Sequence, residues 1–205
     1  MHHRRWLAAL AAGIFASSAA ALRIDLLPVT STVDVNDSTT LSVVVSGLDA
    51  ANEIVSSFDL SFTYDAVIVD ASSVQFGALL GGPADSLQGA DLGTPGSIYL
   101  AEVSFLGDAD LMALQGDTIT LGLLRFLGVD VGISSIQFAS ALLVGREDPN
   151  APGFPTELDP DIGGARIIVE PGNPVPEPGS ALLVLAAFAL CAVFRRARAK
   201  AARFH

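Results

Sequence analysis

The chain has 205 residues with 22 acidic and 11 basic side chains, and seven basic ones crowd the two ends: Arg4, Arg5, Arg195, Arg196, Arg198, Lys200 and Arg203. Between Leu22 and Pro178 four arginines face all 22 acidic residues, a net −18. Such a surface repels nucleic acid and suits a solvated or cation-collecting domain. The same segment contains no histidine, cysteine or lysine. Ser-His-Asp and Cys-His catalysis, a lysine nucleophile and Cys/His metal sites are therefore excluded from it. Paired-carboxylate chemistry survives. With so many acids some pair always looks suitable, so that signal is empty and the chain reads as non-enzymatic.

Residues 1–21 read as a secretory signal peptide. His2, His3, Arg4 and Arg5 form a positive start, Leu7 to Phe15 an apolar stretch, and Ala19, Ala20 and Ala21 the small residues a signal peptidase requires. The next segment, residues 22–170, has the size of one domain with its own core.

The periodicity of this domain is mostly two. Leu41, Val43 and Val45 alternate with Ser42, Val44 and Ser46 up to Gly47, and Phe58, Leu60, Phe62 and Tyr64 alternate with Asp59, Ser61 and Thr63. Val67–Val69 and Val74–Phe76 predict a short broken strand. Ile98–Phe105 predicts another, with a bulge where the alternation slips at Ala101-Glu102. Asp108–Gln115 predicts a turn or two of helix, with Asp108 and Asp110 at its N-terminus. Ile119, Leu121, Leu123 and then Arg125 or Phe126 predict a long strand. Ile133, Ile136, Phe138 and Leu142–Val144 predict one or two more, and Ala165–Val169 the last. Short strands parted by Gly, Asp and Pro predict an all-β, antiparallel sandwich. Gly81–Gly96 and the Pro-rich Arg146–Asp161 read as loops, and residues 171–180 as a Pro-rich linker.

Several of these segments occur together in a known order. Val33–Asp37, then Leu41–Gly47, then Phe58–Asp65 ending in Tyr64-Asp65, then Val74-Gln75-Phe76-Gly77 and the later Gly116-Asp117 resemble a cohesin-like domain. The resemblance implies a jelly roll of nine strands that binds a calcium-loaded dockerin module through one sheet face. The long Pro-rich insertion departs from the short members of that family.

Two acidic groups are candidate Ca²⁺ ligands. Asp34, Asn36 and Asp37 offer oxygens close together but lack the Gly and distal Glu of an EF-hand. The alternative reading is an Asx turn opening the next strand. Glu147, Asp148, Asn150, Glu157, Asp159 and Asp161 crowd the Pro-rich segment, where Ca²⁺ would rigidify the chain. The alternative there is a solvated acidic loop.

The last part of the chain reads Val175-Pro176-Glu177-Pro178, an apolar run Ala181–Phe194, then Arg195, Arg196 and Arg198. As a helix the run covers about 21 Å at ~1.5 Å per residue, short of a ~30 Å hydrocarbon core, a gap that snorkelling arginines narrow. The basic tail, residues 195–205, belongs on the cytoplasmic side and the domain outside. Motif, short transmembrane helix and terminal arginines together resemble the PEP-CTERM sorting signal of Gram-negative bacteria. That resemblance implies processing by an exosortase at the inner membrane and export to the cell surface or an extracellular polysaccharide matrix. Two roles for the sandwich stay open: protein binding or matrix structure, and exopolysaccharide binding. The only tryptophan, Trp6, lies in the signal peptide, which favours the first.

Overall fold

The computed structural model describes residues 21–147, 153 and 155–172. The signal peptide except Ala21, Asp148, Asn150, the Val175–Pro178 motif, the Ala181–Phe194 helix and Arg195, Arg196 and Arg198 lie outside the described residues. Among the described residues no helix is long and apolar enough to cross a membrane.

Alternation drives the chain into two sheets that share one core. The strands are β1 (Arg23–Leu27), β2 (Thr30–Asp34), β3 (Ser38–Ser46), β4 (Ser57–Thr63), β5 (Val69–Phe76), β6 (Ser86–Asp91) and β7 (Ser97–Ser104). The helix α1 (Asp108–Leu114) comes next, then β8 (Thr118–Gly128), β9 (Gly132–Glu147), β10 (Pro155–Leu158), β11 (Asp161–Gly163) and β12 (Ala165–Glu170). One sheet runs β11-β1-β3-β8-β5. The other runs β2-β12-β9-β4-β7-β6, with β10 also paired to β9. Ile24, Leu41, Val43, Leu121 and Phe126 of the first sheet meet Leu60, Phe62, Ile98, Leu100 and Ile167 of the second in a continuous buried cluster. Phe62 and Phe138 rings lie 4.7 Å apart, and Tyr64 meets Phe126 edge-on at 5.6 Å. Such pairs add to area burial. All the strands and this core lie within a unit that ends at Glu170.

Two pairings depart from the expected antiparallel pattern. β1 runs parallel to β11, and β2 parallel to β12. The cause is a pair of sheet switches. Proline has no N–H to continue a ladder, and the chain leaves one sheet and enters the other at Pro28, between β1 and β2. It switches again at Gly164, between β11 and β12, where a Cβ would stand 2.8 Å from the Ile136 carbonyl oxygen. Both chain segments therefore straddle the two sheets, side by side and in the same direction. The count is twelve strands among the described residues, not nine.

Other expectations change for local reasons. No bulge occurs at Ala101-Glu102: the β4–β7 and β6–β7 registers run unbroken, and Glu102 keeps the inward phase of Ile98 and Leu100 while 1% exposed. In β8 the register against β3 shifts between Val43 and Val44. The shift turns Leu124 and Phe126 inward and leaves Leu123 and Arg125 outside. Both segments read as loops contain strands, β6 in one, and β10 with the start of β11 in the other. The broken strand at Val67–Phe76 is instead the single β5, and β9 is one strand of 16 residues.

The motifs that carried the family resemblance have physical tasks. The Asp65 side chain accepts the Val67 N–H at 3.0 Å and its carbonyl accepts from Ile68 and Val69. Tyr64-Asp65 thus ends β4 in an Asx turn. At Gly77 a Cβ would stand 2.0 Å from the Thr120 carbonyl oxygen, so only glycine fits.

Candidate docking surface

The four central and edge strands β9-β4-β7-β6 present a broad outer face. Because side chains alternate, burying Phe58, Leu60 and Phe62 sends Ser57, Asp59, Ser61 and Thr63 outward from β4. Ile98, Leu100 and Glu102 inward likewise sends Tyr99, Ala101 and Val103 outward from β7. Leu87 on β6 stands opposite Val103, and Leu142 on β9 stands opposite Asp59. The result is an apolar patch in one half of the face. Leu87 is 65% exposed, Val103 47%, Leu142 40% and Tyr99 39%. A shallow recess of about 290 Å³ opens between Leu87, Tyr99, Ala101 and Val103. The other half is polar, with Ser61, Thr63, Gln137 and Ser140.

Two acids adjoin the apolar half: Asp91 stands opposite Tyr99 on the edge strand β6, and Asp59 sits beside it on β4. Asp59 on β4 accepts a 2.7 Å hydrogen bond from the Tyr99 hydroxyl on β7. This bond, then partial desolvation, then the Asp59 charge, raise the Tyr99 phenol above its ordinary range. The pair holds the tyrosine ring on the sheet and leaves a carboxylate available to a partner's donor. Arg146, near the end of β9, is taken up by Asp108 at 3.8 Å.

The edge of this face is fastened from behind. Glu102 Oε1 accepts from Ser86 Oγ at 2.7 Å and Gln88 Nε2 at 2.8 Å, both on the edge strand β6. Its Oε2 is buried without a protein partner. Gln115, just past α1, closes the neighbouring corner: Oε1 accepts the Val55 N–H, and Nε2 donates to the carbonyls of Val55 and Leu79. Neither residue stands out in the sequence, since a buried polar role shows only once its partners are placed.

The predicted Ca²⁺ ligands that lie among the described residues do not come together. Asp34, Asn36 and Asp37 form the β2–β3 turn, closed by Asp37 N–H to Asp34 carbonyl at 3.0 Å, with Asn36 at φ 70°. That left-handed conformation suits asparagine. This turn lies beside Glu170 and the start of β9, whereas Glu147 ends the same strand. Glu147 accepts the Gly153 N–H. Asp159 is exposed, and Asp161 sits in β11 opposite Arg23, whose guanidinium is held protonated chiefly by Asp25. Among the described residues no three Asp, Glu, His or Cys side chains gather to hold a metal ion.

Comparison with known proteins shows the fold. No family model and no curated protein matches the chain. Solved structures do. The seventh ScaB type I cohesin from Pseudobacteroides cellulosolvens is 14% identical, covering 76% of this chain and 96% of its own, with a TM-score of 0.58. A type II cohesin domain from the cellulosome of Acetivibrio cellulolyticus is 18% identical, covering 72% and 95%, with a TM-score of 0.56. The cohesin OlpA of a type I cohesin–dockerin complex from Clostridium thermocellum is 14% identical, covering 74% and 100%, with a TM-score of 0.56. The described residues form a β-sandwich whose fold resembles that of cohesins.

Proposed function

We propose that this protein is a non-catalytic docking module that holds a dockerin-like protein on the outer face of β9-β4-β7-β6. The observation that carries this reading is the apolar patch of Leu87, Val103 and Leu142 around the Asp59–Tyr99 pair. Isolated exposed aliphatics need no explanation, but Leu87 paired with Val103, and Leu142 on the same sheet face beyond Asp59, together mark an interaction surface. Apolar residues flanked on one side by polar ones, with a hydrogen-bonded acid among them, match the mixed composition of a protein interface. A cohesin-like fold and a neighbour solved as a cohesin–dockerin complex support the same choice.

The test is a capture experiment on the producing organism's own secreted fraction. A partner retained by the wild type should be lost by Val103→Glu and by Leu87→Glu, and kept by Arg125→Ala on the opposite sheet. Equal retention by all of these variants would remove the reading.

The tail supplies the address. The signal peptide delivers the chain across the inner membrane. The Val175–Pro178 motif, the apolar run and the arginines then present it to an exosortase, which releases it to the surface or the polysaccharide matrix. Pro176→Ala with Glu177→Ala should leave the protein uncleaved in the inner membrane fraction. Unchanged release would sink the sorting assignment and leave the docking assignment untouched.

A further inference from the structure

The outer face of the other sheet carries a recess of about 380 Å³ bounded by Asn36, Ser38, Ser72, Ser73, Arg125 and Leu127. An irregularity builds it. The β5–β8 register shifts between Ala71 and Ser73, and the extra residue puts Ser72 and Ser73 next to each other on the solvent side. Bulges re-aim side chains in this way beside functional sites. Ser73 stands opposite Arg125, and Ser72 Oγ donates to the Arg125 carbonyl at 3.1 Å. From β3, Ser38 Oγ accepts from Arg125 Nε at 3.1 Å and Nη2 at 2.7 Å.

The guanidinium lacks the partner its surroundings would supply. Arg23 and Arg146 have carboxylates within ion-pair reach. Arg125 has none among the described residues, as Arg166 has none, although the segment from Leu22 to Pro178 carries 22 acidic residues and Asp70 stands on the adjacent strand opposite Leu127. Its hydrogen bonds both go to one neutral hydroxyl, that of Ser38.

We propose that this recess binds a carboxylate-bearing sugar, a uronate unit of an acidic polysaccharide. A guanidinium is the side chain best matched to a carboxylate, in shape as well as charge. The serine hydroxyls both donate and accept, and the asparagine amide does the same through separate atoms. That set suits the ring hydroxyls flanking a uronate carboxylate better than it suits an acidic peptide, whose neighbouring groups are amides and methylenes. The site lies on the sheet opposite the docking face and does not depend on it. Glycan and protein could be held at once.

Titration calorimetry of the full-length chain in detergent, with trigalacturonate as the probe, tests this. Trigalacturonate should bind, and Arg125→Ala should weaken it by about tenfold, the loss expected for a charge-assisted contact. The Ser72→Ala, Ser73→Ala double variant should weaken it about threefold, the loss of neutral hydrogen bonds. Val103→Glu should bind as the wild type does. Arg125 is exposed, so its variant is expected to fold, and an unchanged melting temperature verifies that. The same trisaccharide with its carboxyls reduced to alcohols should bind far more weakly. No binding at millimolar trigalacturonate, equal binding by Arg125→Ala, or equal binding of tri-glutamate would overturn the proposal.

Discussion

The two sheets of the sandwich are alike inside and unlike outside. Inward, both present aliphatic and aromatic side chains of the same kind: Ile24, Leu41 and Phe126 from one, Leu60, Phe62 and Leu100 from the other. Outward, β9-β4-β7-β6 offers Leu87, Val103 and Leu142 around the Asp59–Tyr99 pair. The β3-β8-β5 face offers Ser38, Ser72, Ser73 and Arg125. The inward positions are set mainly by packing, and a polar group there, as at Glu102, must be matched by a partner. The outward positions are free of that demand, so their difference is where recognition is written.

The largest expected effect comes from breaking the shared interior. Phe62 is fully buried against Phe138. Phe62→Asp would put an uncompensated charge between the sheets, costing about 3–5 kcal/mol, a large part of the ~5–15 kcal/mol that stabilises a domain. Loss of the cooperative melt, monitored by circular dichroism, is the expected outcome. A variant melting like the wild type would mean that the two sheets do not share this core.

A smaller effect should separate the outer faces from the interior. Val103→Glu and Ser73→Glu introduce the same charge on opposite faces at exposed positions. Each should change stability by no more than about 0.5 kcal/mol. Only Val103→Glu should abolish protein partner binding. Melting curves and binding on the same samples decide this, and a large stability loss in either would show the face to be structural.

The boundary between inside and outside is sharpest at Glu102. It sits in an inward position yet holds the edge strand through Ser86 and Gln88. Glu102→Ala would leave Ser86 only the Gly82 carbonyl and Gln88 only the Ser86 hydroxyl, both longer bonds, and should cost about 1 kcal/mol. Glu102→Gln keeps an acceptor oxygen at the same place and should retain most of that stability. If chemical denaturation gives the two variants equal stability, the Ser86 and Gln88 bonds do not fasten β6.

Where residues keep an uninterrupted alternation, the sequence is a sound guide. β4 is such a case, β3 and β12 keep the phase with one extra apolar residue each, Val44 and Ile168, and α1 begins at its acidic pair. The strands that the pattern does not announce have physical reasons in common. β1 and β2 are five residues each and are parted by Pro28. β6 is an edge strand, Ser-Leu-Gln-Gly-Ala-Asp, with too few apolar residues to show a phase. Edges are kept poor in apolar side chains because they would otherwise invite pairing. β10 comes after a run of prolines and pairs only with the end of β9. The candidate sites are less legible than the fold. Asp59 and Tyr99 lie forty residues apart in the chain, and Arg125 meets Ser72 and Ser73 only because β5 bulges there. No spacing rule in the sequence reports a cross-strand neighbour.

The smallest effect tests the centre of the docking face directly. The Tyr99 hydroxyl donates to Asp59, and its phenol is raised above the ordinary 10.0, first by this bond, then by desolvation and the Asp59 charge. A group whose folded value is raised stabilises the fold below the unfolded value. That contribution is lost as pH climbs through the folded one. The window therefore opens above pH 10, and the ring is solvent-facing, so the effect on stability is slight. The titration itself is the useful readout. The chain has two tyrosines, and tyrosinate absorbance in a Tyr64→Phe background reports Tyr99 alone. Asp59→Ala should return that titration toward its ordinary range. If a partner covers the pair, saturating partner should delay the titration further in the wild type, because desolvation disfavours the phenolate. A titration unmoved by Asp59→Ala would show that the carboxylate does not govern the tyrosine, and the face would then lose the polar anchor at its centre.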